Sequence, residues 1–484
     1  MLFNSLEFIF LFLPISLIGF FLLKQGRLIW LMITSLLFYA YWNPLYLPLM
    51  LFSILFNYQM GNVILATKPK SNQAKLFLGL GIGVNLLIIG YYKYADFFLD
   101  SLGINLSLTE IILPLAISFY TFTQIAYLVD VYRGETKETK YDLITYSLFV
   151  TFFPQLIAGP ILRHDQLIPQ LQKPGIFRLS QQNLAIGLSL FSLGLAKKVL
   201  IADHLSPWVS TVFNHSHEVV FIEAWVGVLA YTFQLYFDFS GYSDMAIGLG
   251  LLFNINLPIN FNSPYKATSI SDFWRRWHIT LSNFLRDYLY ISLGGNRRGE
   301  IRRYGNLLTT MLLGGLWHGA GWTFVLWGGL QGLYLGVNHA WSKLNKPLPD
   351  WLGWGLTFVA VVIGWGLFRA ESLSDGIAIA QTLMGLDGII LPGEAGGKLG
   401  FITHLGIQLQ SWTQLPYLPL VWERKSLSIV ILAILTIIVT FTPNTQEIMA
   451  KFQPNWRWAL VIGLLASISL LSLNRVSEFL YFQF

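Results

Sequence analysis

Long apolar runs recur from one end of this chain to the other, and they constrain its fold more than any other feature. They occupy residues 6–23, 28–42, 45–66, 76–92, 111–129, 183–201, 221–253, 304–340, 351–368, 427–442 and 457–473. A helix crossing a bilayer needs about 20 such residues, and several runs are long enough for two passes or one broken helix. The expectation is about eleven to thirteen spans, with interfacial or re-entrant helices between them. Composition agrees. Of 484 residues, 54% are hydrophobic and only 12% charged, roughly half the charged share of a soluble domain. Too few polar groups exist to enclose such a core in water, so the chain reads as an all-α, polytopic membrane protein.

Orientation follows from the short loops. Lys24 and Arg27, then Lys68, Lys70 and Lys75, then Arg133, Lys137 and Lys140 occupy alternate loops. Between them, residues 95–110 hold three acids and no base, and 202–220 hold no Lys or Arg. This places the basic loops in the cytoplasm and the amino terminus outside. MLFNSLEFIFLFLP has neither a basic leader nor an Ala-x-Ala site, so it reads as a first span. The most basic segment, 262–303, carries Lys266, Arg275, Arg276, Arg286, Arg297, Arg298, Arg302 and Arg303 and falls on the cytoplasmic side. No internal repeat or soluble appendage appears, so residues 1–484 read as one membrane domain. Residues 369–426, the least apolar long stretch, read as an interfacial helix followed by an exposed loop.

Three stretches could carry chemistry. In 260–296, which begins at Asn260, Ser269 and Asp272 resemble a capping box that starts a helix near 270. On that helix Trp274, Trp277, His278 and Leu281 share one face, which Arg276 borders. One reading is an amphipathic interfacial helix with snorkelling arginines. The other is an entrance lined by aromatic planes and guanidinium groups, suited to an anionic nucleotide-containing thioester. The second stretch is GGLWHGAGWTF, where Trp317 and His318 sit among glycines at 314, 315, 319 and 321. An imidazole in hydrocarbon is costly unless it is hydrogen-bonded or faces a cavity. It either bonds a neighbouring helix or serves as a base, the role the glycines leave room for. The third is QLYFDFSGYSDMAIG, which puts Asp238 and Asp244 in a span with Tyr242 and Ser243. Two carboxylates in lipid must be paired or hydrated: they either serve a functional site or belong to an internal polar network that fixes helix packing, for which the arginines of 262–303 are one source of partners. His215 and His217 lie in an external loop and make no metal site by themselves. No cysteine is present, so thiolate metal sites and a cysteine-bound acyl intermediate are excluded.

Several blocks together resemble the membrane-bound O-acyltransferase (MBOAT) family, in particular its bacterial alginate O-acetyltransferase branch. They are PQLIAGPI at 154–161, YFDFSGYSDMAIG at 236–248, FNSPYKATSISDFWRRWHITLS at 261–282, RDYLYISLGGNR at 286–297, LLGGLWHGAGWTFVLWGGLQG at 312–332 and the terminal YFQF at 481–484. The resemblance implies a fold enclosing a tunnel across the membrane. It implies His318 as catalytic base and His278 as a second essential polar residue. Trp274, Arg276, Trp277, Asn260, Trp317, Asp238, Tyr242, Ser243 and Asp244 are then candidates for the tunnel or the acyl-donor site. The donor implied is acetyl-CoA, entering from the cytoplasm, with no bound cofactor and no metal. The acyl group would pass to an extracytoplasmic partner protein that modifies a polysaccharide; no nucleic-acid partner is expected. The location implied is the bacterial inner membrane. Within the family, the rival reading is a D-alanyl transferase acting on teichoic acid with a carrier-protein donor. A rival of another class is a transporter or polymer-export channel, against which stands the absence of an inverted repeat.

Overall fold

The computed structural model describes every residue except 105–111, 137–140, 158, 298, 395–396, 398–399, 474–479 and 481–484. The YFQF block, Lys137, Lys140 and Arg298 lie outside the described residues. The chain is helical nearly throughout, as the apolar periodicity requires. Among the described residues four helices are long and apolar enough to cross a bilayer unaided: Pro44–Ala66, Asn72–Ser101, Gln181–Phe213 and Asp350–Arg369. Phe8–Leu22, Arg27–Ala40, Ser426–Phe441 and Trp456–Leu471 are apolar but shorter. The run 221–253 is one continuous helix, Phe221–Leu252, that carries Glu223, Asp238 and Asp244, whereas others are interrupted. The run 304–340, for example, is two helices, Glu300–His318 and Trp322–Ser342.

The chain divides into two compact units. The first comprises 1–196, 241–260 and 449–474. Here the helices Leu47–Ala66, Asn72–Ile89 and Ile117–Arg133 pack together, turning polar groups inward and leucines outward. Asn57 and Asn85, both fully buried, exchange amide hydrogen bonds of 3.1 and 2.6 Å, and Gln124 donates to Ser53 Oγ at 2.8 Å. Leu51, Leu55, Leu86 and Leu87 on the same helices are exposed. Buried amides inside and bare leucine outside is the arrangement lipid rewards, because hydrocarbon satisfies no polar group. Where the Gln181–Ala196 helix meets residues 241–252, a Cβ on Gly194 would stand 2.4 Å from the Gly241 carbonyl. Only glycine permits that approach.

The second unit comprises 197–240, 261–448 and 475–484. Its centre is the antiparallel pair Glu300–His318 and Trp322–Ser342. A Cβ on Gly315 would lie 2.2 Å from the Phe324 carbonyl, and one on Gly328 2.3 Å from the Met311 carbonyl. The backbones therefore touch, which gives the glycines of this stretch their role. The Asp350–Arg369 helix covers the second of the pair and is itself covered by Leu373–Leu383. That last helix is the one expected at the start of 369–426. The loop after it is not featureless, for Ile390–Pro392 and Gln408–Gln410 pair as two short parallel strands.

The Leu373–Leu383 helix is tied to the loop ahead of Phe221. Ser216 donates to Asp375 Oδ1 at 2.6 Å, Ser372 donates to Oδ2 at 2.6 Å, and His217 Nε2 lies 3.3 Å from Oδ1. The serine hydrogen bonds, with His217 adding to them, hold the Asp375 carboxyl below its usual range. A carboxyl depressed in the folded state stabilises above its unfolded pKa, and that contribution is lost as pH falls through the folded value. Amide exchange of 214–220, corrected for its intrinsic pH dependence, is expected to stay flat from neutral pH down to about pH 4 and to rise below it. Asp375→Asn should show the raised exchange at every pH. A wild-type profile flat throughout, or a variant equal to wild type at neutral pH, would remove Asp375 as the tie.

Candidate active site

The segment expected to form one helix from about 270 is broken. Ile270–Arg276 is helical, with Ser269 accepting from the Asp272 amide at 3.1 Å as its N-cap, while the Asp272 carboxylate turns to Arg276. Trp277 is then extended, and His278 takes φ 42° and ψ 54° before helix resumes at Ile279–Phe284. A non-glycine residue in the left-handed region costs about 1–3 kcal/mol and persists only where its surroundings impose it. Here they are aromatic. Trp277 packs between Phe261 and Trp365 at centroid distances of 5.0 and 4.9 Å, and Phe239 meets the His278 ring edge-on at 4.7 Å. The shared helical face is therefore replaced by a kink that buries Trp274, Trp277, His278 and Leu281 through separate contacts.

His318 is the last residue of its helix, and Gly319 after it is extended. The ring is buried, edge-on to Trp327 and to Phe368 at 5.4 Å each and against Trp317 at 4.9 Å. The His278 and His318 centroids are 6.4 Å apart. Two buried imidazoles thus face each other across an aromatic box, each placed by a break in a helix. Burial pushes the His278 pKa down to about 3, which keeps that ring neutral. The indole Nε1 of buried Trp327 has no hydrogen-bond partner among the described residues. Such a donor is an uncommon expense in a protein interior. Trp274 donates to Gln331 Oε1 at 3.3 Å and packs on Trp327.

The remaining candidates separate. Arg276 Nε is held by Asp272 at 2.8 Å, so its guanidinium is already committed to a carboxylate. Asp238 is in the same unit as the histidines, but its partner is not an arginine of 262–303. Lys198 Nζ lies 2.6 Å from Asp238 and 2.8 Å from Asp203, all three side chains buried. The reason is local: Lys197–Ala202 is π-helical, and in that winding residue i+5 stands over residue i, which aligns Asp203 with Lys198. Neither residue was expected at the site. The available signal was a lysine inside the apolar run 183–201. Tyr242, Ser243, Asp244 and Asn260 belong to the first unit, where all four are buried and Tyr242 stacks on Phe3 and donates to Asn4 Oδ1 at 3.4 Å. Trp327, Trp365, Phe368 and Phe239 complete the box without having been singled out, since an aromatic residue in an apolar helix carries no distinguishing mark.

Comparison with known proteins decides the class. The model of the MBOAT, membrane-bound O-acyltransferase family, matches residues 135–370. A peptidoglycan O-acetyltransferase of Helicobacter pylori is 41% identical over all of this chain and 98% of its own length. The chain belongs to the membrane-bound O-acyltransferase family. A probable alginate O-acetylase of Pseudomonas aeruginosa is 46% identical over 77% of this chain and 73% of its own length. A teichoic acid D-alanyltransferase of Bacillus subtilis is 27% identical over 53% of the chain. This MBOAT chain is an integral membrane O-acyltransferase, and both histidine blocks fall inside the matched region.

Proposed function

We propose that this enzyme transfers an acetyl group from a cytoplasmic thioester, acetyl-CoA, to a hydroxyl of a cell-envelope polysaccharide, with His318 as general base. The observation that carries the reading is the pair of facing buried imidazoles at 6.4 Å inside an aromatic box. His318 ends a 19-residue helix, and the carbonyl end of a helix favours the positive charge that a base acquires. The Trp327 indole N–H, unpaired among the described residues, is a donor available to the oxygen of the thioester carbonyl, and His278, across from His318, helps to orient the reacting groups. The steps balance simply. His318 takes the proton of the acceptor hydroxyl, the oxygen bonds to the carbonyl carbon, the carbon–sulfur bond breaks, and the imidazolium returns its proton to the departing thiolate. No acyl-enzyme is needed, which suits a chain without cysteine.

The end-to-end match with a peptidoglycan O-acetyltransferase makes peptidoglycan the first acceptor to try. Basic alternate loops support an inner-membrane location with the amino terminus outside. An extracytoplasmic partner protein would complete delivery, and the loop after 383, which exposes Phe401, Leu405, Leu420 and Trp422, is its candidate dock. Purified enzyme in proteoliposomes, given radiolabelled acetyl-CoA outside or inside, is expected to consume thioester from one face only and to label an added muropeptide or partner. Consumption of a D-alanyl carrier protein but not acetyl-CoA would replace this reading with D-alanyl transfer. Turnover of neither donor, with the partner supplied, would overturn it.

A further inference from the structure

In the first unit, residues 170–183 and 254–256 line a half-open surface pocket of about 310 Å³ that the acyl-transfer reading does not use. Its construction is specific. Gln170 and Asn256 are clamped reciprocally: Gln170 Nε2 donates to the Asn256 carbonyl at 3.0 Å and the Asn256 amide donates to Gln170 Oε1 at 2.9 Å. Asn254, left-handed at φ 60°, donates to the Ile176 and Arg178 carbonyls at 2.8 and 2.7 Å and accepts from Asn183 at 2.8 Å. Three side-chain amides, those of Gln170, Asn183 and Asn254, thus hold the 172–180 loop and the backbone of 254–256 in place. What the loop presents at the rim is Lys173 and Arg178, both exposed. No carboxylate lines the cavity, and no aromatic ring does either.

We propose that this cavity binds the phosphate of an anionic phospholipid headgroup. Two cations with no competing carboxylate select an anion, and arginine pairs with phosphate through two parallel N–H bonds. The site adjoins the start of a helix, Gln181–Phe213, long and apolar enough to cross a bilayer, so it lies at headgroup depth. Leu179, just ahead of that helix, and Leu188, two turns into it, are 60% and 53% exposed and give the acyl chains an apolar path. A nucleotide suits the cavity less well, since no aromatic plane is present on which a base could stack.

Native mass spectrometry of the intact enzyme with added phosphatidylglycerol or phosphatidylcholine tests this. Wild type is expected to retain phosphatidylglycerol preferentially. Each cation near the membrane surface is worth about fivefold, so Lys173→Gln with Arg178→Gln should weaken retention roughly 20–30-fold. Both positions are exposed and an unchanged unfolding temperature will show the double variant folded. Equal retention by wild type and double variant overturns the proposal. Saturation of the Arg178-dependent site by millimolar ADP or inorganic phosphate, with both lipids bound alike, would assign it to a soluble phosphate instead.

Discussion

Replacing His318 with alanine is expected to lower kcat for acyl transfer by roughly 10²–10⁴-fold, the usual worth of a positioned general base. The KM for the thioester should change little, because a base acts mainly in the transition state. Packing alone offers a competing explanation, since the ring fills space between Trp317, Trp327 and Phe368. Two controls separate them. Free imidazole at tens of millimolar should restore part of the activity of His318→Ala, whereas a space-filling residue gains nothing from a diffusible base. His318→Gln preserves most of the volume and should be as slow as alanine. Turnover equal to wild type in either variant would remove His318 from the chemistry.

Lys198→Ala is expected to be the most damaging single change outside the aromatic box. It leaves Asp203 and Asp238 buried close together with their cation gone. Removing one member of a buried ionic cluster costs about 3–5 kcal/mol, whereas exchanging the whole cluster for neutral groups of like volume is often harmless. The triple replacement Lys198→Met, Asp203→Asn, Asp238→Asn should therefore be more stable than the single variant. Thermal unfolding in one detergent measures both. Equal, small losses in the two would mean that the cluster is hydrated and contributes little. Phe239, next in the helix to Asp238, touches His278, so the single variant should also lose kcat; a stable variant with full turnover would break that link.

The sequence disclosed the membrane fold through its apolar runs, and the two histidine blocks through their unusual setting in lipid. It did not disclose the break at Trp277 and His278. Helical spacing of Trp274, Trp277, His278 and Leu281 fits an unbroken helix, and neither glycine nor proline marks the kink. The stop comes from Phe239 and Trp365, residues far away in the chain, together with Phe261 ahead of the helix, and no pattern of helical spacing links them to Trp277 and His278. The partner of Asp238 was hidden for a similar reason: an arginine of the basic segment was the richer source of charge, yet the π-wound turn had brought a lysine closer. By contrast the glycines of the LWHGA stretch were legible, because close backbone approach and helix termination are the two things glycine does best in a membrane.

That π-wound turn also bears on how the chain enters the bilayer. A lysine or aspartate delivered singly to the middle of a membrane costs about 2.5–3.5 kcal/mol at the insertion machinery. Lys198 and Asp203 travel on one continuous helix, Gln181–Phe213, and five-residue spacing lets them neutralise each other there before any other segment arrives. The helix thus carries its own counterion through translocation. Asp238 lies on the next helix, Phe221–Leu252, so one lysine serves a carboxylate of its own segment and one of the segment that follows.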